Sequence, residues 1–101
     1  MVKITVLFNH PDDPAAFEEY FANTHRPLID ALPDLRQFEA ARVVTTPGGG
    51  EPPYYRIAEL WFESTDRLEG AMASQEGERA MEDLQNFASG GATFLICEVD
   101  G

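Results

Sequence analysis

Apolar and polar positions alternate with a period of two from Val2 to Phe8, so Ile4, Val6 and Phe8 share one face and Lys3, Thr5, Leu7 and Asn9 the other. This pattern predicts a first strand. His10-Pro11-Asp12-Asp13-Pro14 supplies turn chemistry, with Asp13 as N-cap and Pro14 at the first helical position, where its missing N–H costs nothing. Phe17, Tyr20, Phe21 and Thr24 then recur at three- and four-residue spacing, which predicts a helix from Pro14 to about Asn23. The residue before Pro27 is expected to break that helix, with one further turn over Leu28 to Leu32.

A second strand is expected from Leu35 to about Thr46, with Phe38, Ala40, Val43 and Val44 as its apolar members. Thr46 to Pro53 combines a glycine triplet with a proline pair and reads as a hairpin loop. Tyr54 to Glu63 is dense in aromatic and branched residues, as a strand requires. Ala58, Leu60 and Phe62 lie on one side, and Tyr55, Ile57, Glu59 and Trp61 on the other. Ser64 caps a helix running through Ala73, and Ser74 opens another with Ala80, Met81, Leu84 and Phe87 at core spacing, ended by Gly90-Gly91. Ala92 to Val99 is apolar nearly throughout and is expected to be a central strand.

The order strand, helix, strand, strand, helix, strand predicts an α+β, ferredoxin-like split βαβ fold over a single domain, residues 1–101, with a four-stranded antiparallel sheet and the helices on one face. The uncovered face would carry Leu7, Tyr55, Ile57 and Trp61, more apolar surface than soluble monomers leave open. A self-complementary homodimer through the sheet faces is the expected cover, and two facing sheets would enclose a lined cavity.

Charge removes several functions. Eighteen acidic residues against seven basic ones give a formal charge of −11, and the basic residues form no run, so no nucleic acid and no membrane surface is expected as a partner. The apolar start ends at Phe8 and no run approaches the roughly 20 residues of a membrane span. With one cysteine, Cys97, these features lead us to expect a cytoplasmic protein.

The chain resembles the EthD family of dimeric α+β barrel proteins. The likeness rests on Met1 to Phe8, on Phe17-Glu18-Glu19-Tyr20-Phe21 leading into Thr24-His25-Arg26-Pro27-Leu28, and on Ala58 to Phe62. The resemblance implies a homodimer joined through its sheets to form the barrel, with a small-molecule cavity in each half. It also brings in a wider superfamily of cofactor-independent cyclases, monooxygenases and isomerases acting on ring-like, proton-labile molecules. Fold analogy alone does not give the reaction.

His25 titrates near neutral pH at a helix end and is the first candidate for a general acid or base; the alternative is a structural histidine capping the last helix carbonyls. Tyr20 stands five residues earlier, about 140° away on an ideal helix, so the two share a cavity only if the helix bends or ends between them. Tyr20 would bond a carbonyl or enolate oxygen, or simply pack in the core. Glu59, between Tyr55 and Trp61, is either a proton-moving carboxylate on a buried face or the partner of Arg42 or Arg36 in a cross-strand salt bridge. Tyr55 and Trp61, with Leu7 and Asn9 on the first strand, are the expected substrate-binding residues, giving a hydrophobic cyclic or polyketide-like ligand its walls.

No metal is expected, because His10 with Asp12 and Asp13 offers too few convergent ligands. No cofactor is expected, because Gly48-Gly49-Gly50 precedes a proline pair instead of a helix and so forms no phosphate cradle. Cys97 reads as a buried inert thiol, and Ser64 and Ser74 as caps rather than nucleophiles. The resulting expectation is a cofactor-independent enzyme of proton-transfer chemistry such as cyclisation, isomerisation or oxygenation. The alternative is a non-catalytic accessory or ligand-carrying protein of a degradation pathway.

Overall fold

In the computed structural model, which describes residues 1–101, four strands form one sheet: β1 (Val2–Phe8), β2 (Gln37–Arg42), β3 (Arg56–Phe62) and β4 (Ala92–Glu98). The spatial order is β2-β3-β1-β4 and every pairing is antiparallel. Four helices, α1 (Pro14–Tyr20), α2 (Arg26–Asp30), α3 (Thr65–Ala73) and α4 (Gln75–Asp83), lie on one face. This is the α+β, ferredoxin-like architecture, with an open sheet.

Alternation decides which side chains meet the helices. The β1–β3 register sets Ile4 against Leu60 and Val6 against Ala58, and these four are buried with Phe8 and Phe62 beneath the helices. Phe8 is the hub, its ring 5.4 Å from Phe17 in an edge-to-face contact and 6.0 Å from both Phe21 and Phe87. Truncating such a ring to alanine costs about 3–5 kcal/mol.

The helix starts form as their sequences require. Asp13 accepts a hydrogen bond from the Ala16 N–H with Pro14 directly after it, and Ser64 and Ser74 accept from the Arg67 and Gly77 N–H groups. The expected break before Pro27 does not occur. Instead Phe21–His25 forms a π-helical turn, in which the Arg26 N–H reaches back five residues to the Phe21 carbonyl, and the chain passes straight into α2. The wider turn accommodates Pro27 at the start of α2, where a proline is tolerated.

Two further expectations are corrected. β4 is an edge strand, because it pairs with β1 alone, and the central strands are β3 and β1. Its apolar run leaves Phe94, Leu95 and Ile96 40%, 46% and 66% exposed. Tyr55 does not share a face with Glu59 and Trp61, because β3 begins only at Arg56. The Tyr55 N–H bonds to the Phe8 carbonyl beyond the ladder, and its ring turns to the helix side, 5.2 Å from Phe17.

Candidate functional site

The π turn has a local consequence. An i-to-i+5 repeat stacks residues five apart, so Tyr20 and His25 lie on the same side of the helix although an α-helix would separate them. Both reach Asp83, the last residue of α4: the Tyr20 hydroxyl donates to its Oδ1 at 2.6 Å, and His25 Nδ1 lies 2.9 Å from its Oδ2. Asn86, in the 3₁₀ turn after α4, donates its Nδ2 to Oδ1 at 3.0 Å. The His25 ring is 3% exposed, between Phe21 and Phe87, with the Phe87 centroid 4.6 Å away.

Burial and hydrogen bonding pull these groups in opposite directions. Burial lowers the His25 pKa below its usual 6.5, against the raising influence of the Asp83 hydrogen bond and charge, so the imidazole is neutral at neutral pH. Burial alone would raise the Asp83 carboxyl, but the bonds from Tyr20, Asn86 and His25 outweigh it and hold Asp83 below its usual 3.8. The Tyr20 hydroxyl, bonded to that carboxylate and partly desolvated, is raised.

A narrow pocket of about 40 Å³ lies between sheet and helices, with Val6, Ala58 and Leu60 as floor and Phe21, Ala80 and Leu84 among its walls. That is room for a few water-sized groups, one needing about 10–15 Å³. Met72 and Met81 also line it, and their unbranched side chains can shift to widen it. His25 is its only titratable lining residue.

The expected site residues divide between the two faces of the sheet. His25 lines the pocket, and Tyr20 joins it through Asp83. Glu59, Trp61 and Leu7 lie on the opposite, open face. There Lys3 Nζ sits 2.6 Å from the Glu59 carboxylate and 5.2 Å from the Trp61 ring centroid, and Thr5 Oγ1 donates to Glu59 at 3.3 Å. Glu59 therefore pairs with Lys3 of the adjacent β1, where Arg42 or Arg36 had been expected; β2 sets Glu39 opposite Glu59, and Arg36 binds Glu63. The hydrogen bond from Lys3 to Glu59 raises the Lys3 pKa against some desolvation.

Tyr55 donates its hydroxyl to Glu18 of α1 at 3.0 Å, and Arg56 pairs with the same carboxylate while lying over the Phe21 ring at 4.9 Å. Asn9 donates to the Gly90 carbonyl at 2.9 Å and ties β1 to the segment before β4. Asp83 is the residue that sequence reasoning missed. Its signal was present: it stands three residues after Ala80 and four before Phe87, an acid on the apolar stripe of α4.

Residues 9–91 match the family model of the EthD domain. The chain belongs to the EthD family. An uncharacterised 11.0 kDa protein from the thcB–thcC intergenic region of Rhodococcus erythropolis is 41% identical over 98 residues, covering 97% of this chain and 94% of that one. The crystal structure of an EthD family protein from Bacillus halodurans superposes with a TM-score of 0.93 at 35% identity, covering 99% of both chains. The EthD chain also shares its fold with SnoaB, a cofactor-independent oxygenase from Streptomyces nogalater, at a TM-score of 0.67 and 15% identity, covering 99% of this chain and 92% of that one. No helix is long and apolar enough to cross a membrane.

Proposed function

We propose that this protein binds a small, largely apolar cyclic or polyketide-like molecule in the pocket beneath its helices, widened from its closed form by movement of Met72 and Met81, and moves a proton on it by acid–base chemistry alone, with His25 as the base. The observation that carries this reading is one neutral imidazole facing an otherwise apolar pocket. Nδ1 is engaged by Asp83, and Nε2 makes no hydrogen bond within the chain. No fully buried side-chain nitrogen or oxygen lacks a partner, so Nε2 borders open space.

Burial keeps the ring unprotonated at neutral pH, so the Nε2 lone pair is free to accept a proton, and it suits an acidic C–H beside a carbonyl or a phenolic O–H. Nε2 takes the proton and the ligand keeps the electron pair as an enolate or phenolate. Returning the proton at a different carbon completes an isomerisation. The same anion is the nucleophile of a cyclisation. The apolar walls exclude charged ligands, since no cation lines the pocket. The cofactor-independent oxygenase on this fold accords with such chemistry.

The test is deuterium exchange in D₂O of the acidic C–H of a panel of cyclic β-dicarbonyl and polyketide-like compounds, followed by NMR. Exchange accelerated by the protein and lost in His25→Ala is expected, with a loss of roughly 10²-fold or more. A compound that binds, shifting the pocket resonances, and exchanges no faster than in buffer overturns the catalytic reading and leaves a ligand carrier. We further propose that the active unit is a homodimer joined through the open sheet faces, which closes the barrel.

A further inference from the structure

The Asp83 carboxylate receives three donors from three different segments. The Tyr20 hydroxyl comes from the end of α1, Asn86 Nδ2 from the 3₁₀ turn, and the His25 ring from the π turn. The acid itself is only 8% exposed. An ionised carboxylate accepts and cannot donate, so the hydrogen between it and His25 belongs to Nδ1. Tyr20 and Asn86 both spend their donors on Oδ1, which leaves Oδ2 to the imidazole. The ring is further clamped between Phe21 and Phe87.

We propose that Asp83 is the positioning residue of this site, fixing His25 in the tautomer with its proton on Nδ1 and turning Nε2, as an acceptor, to the pocket, while Tyr20 acts on Asp83 and not on the ligand. The catalytic consequence rests on the reading of His25 given above; the tautomer does not.

Tyr20 fits this role by placement. It does not line the apolar pocket, and it borders instead a separate surface groove with Asp12, Asp13, Phe87 and Asn86. Its hydroxyl proton is already committed at 2.6 Å. A tyrosine that bonded the ligand's oxygen would have to abandon the carboxylate first. Without Asp83, nothing in the chain dictates which ring nitrogen carries the proton. With the proton on Nε2 the site could donate a proton to a ligand but could not take one.

The ¹⁵N-labelled protein tests this directly through two-bond ¹H–¹⁵N correlations of the His25 ring at mildly alkaline pH, with no ligand needed. The expected wild-type spectrum has a protonated-type Nδ1 resonance and an unprotonated-type Nε2 resonance. Asp83→Asn, whose amide can present either an N–H or an oxygen to the ring, should abolish that preference and move the proton wholly or partly to Nε2. Tyr20→Phe should leave the wild-type tautomer in place.

A wild-type spectrum with Nε2 protonated overturns the proposal, and so does an Asp83→Asn spectrum unchanged from wild type. Should Asp83→Asn fail to fold, the wild-type and Tyr20→Phe spectra still decide it. In the deuterium-exchange assay, Asp83→Asn should slow turnover roughly 10²-fold with the ligand's KM little changed, whereas Tyr20→Phe should slow it far less. Equal losses in the two variants would place Tyr20 on the ligand and overturn its part. A correct tautomer together with exchange unaffected by His25→Ala would sink the functional reading while leaving the positioning role of Asp83 standing.

Discussion

At the scale of single residues, His25 and Asp83 make an acid–base pair whose two members are pushed below their ordinary pKa values, one by burial and one by its donors. The linkage of each to stability has a definite sign. Below pH 6.5, the usual histidine value, the unfolded chain takes up a proton that the buried His25 resists, so stability falls as the pH drops toward the lowered folded value. For Asp83 the stabilisation is present above 3.8 and is lost as the pH falls through its lower folded value. Urea unfolding midpoints should therefore decline between about pH 7.5 and pH 5.5, a window in which Asp83 stays ionised. A His25→Gln variant should flatten that decline. An equally steep decline in the variant would show that His25 is not the group responsible. The same burial that lowers the imidazole pKa keeps the ring unprotonated at neutral pH.

At the scale of the element, the π turn and the α3–α4 junction do the positioning. The π turn inserts one residue's worth of rotation between α1 and α2 and thereby sets Tyr20 and His25 above the same carboxylate. Ser74 serves both sides of the junction, donating its hydroxyl to the Ala71 carbonyl at 2.6 Å and accepting from the Gly77 N–H at 3.1 Å. The sharp turn presses Gly77 so closely on α3 that a Cβ there would lie 2.2 Å from the Ala71 carbonyl oxygen and 2.6 Å from that of Met72. Glycine to alanine within a helix normally gains up to about 1 kcal/mol. Here the sign should reverse. Gly77→Ala should destabilise by several kcal/mol, because backbone must move to relieve the overlap, and thermal unfolding should fall by roughly 4–8 °C for each kcal/mol lost. An unchanged or raised Tm would mean that the junction opens at little cost. Because α4 carries Asp83 and Ala80, a shifted junction should also displace the His25 ring resonances.

For the whole molecule, the open sheet face decides assembly. Leu7, Ile57 and Trp61 are half-buried on it and Leu95 is 46% exposed, around a polar centre of Lys3, Thr5 and Glu59. Joining two such faces buries apolar surface at about 25 cal/mol per Å², while two chains of charge −11 repel. The repulsion is screened by salt and the burial is not. Sedimentation should thus show a dimer that tightens with rising ionic strength and that Trp61→Glu converts to monomer. A monomer at every salt concentration would overturn the homodimer, and a dimer indifferent to Trp61→Glu would place the interface elsewhere.

The sequence by itself determined the element order, the caps at Asp13, Ser64 and Ser74, and the buried face of β1 and β3. These follow from local periodicity and local hydrogen bonding, which act over a few residues and can be read along the chain. Only the tertiary structure decided that β4 is an edge, that Tyr55 turns to Glu18, that Glu59 pairs with Lys3, and that the pocket lies under the helices, away from Trp61 and Leu7. Each of these depends on which strand lies beside which, or on where a strand starts, and alternation within one strand carries neither. Asp83 is the sharpest case. Its meeting with Tyr20 and His25 joins residues 63 and 58 positions apart, and what brings them together is the packing of α4 against α2, which continues directly from the π turn.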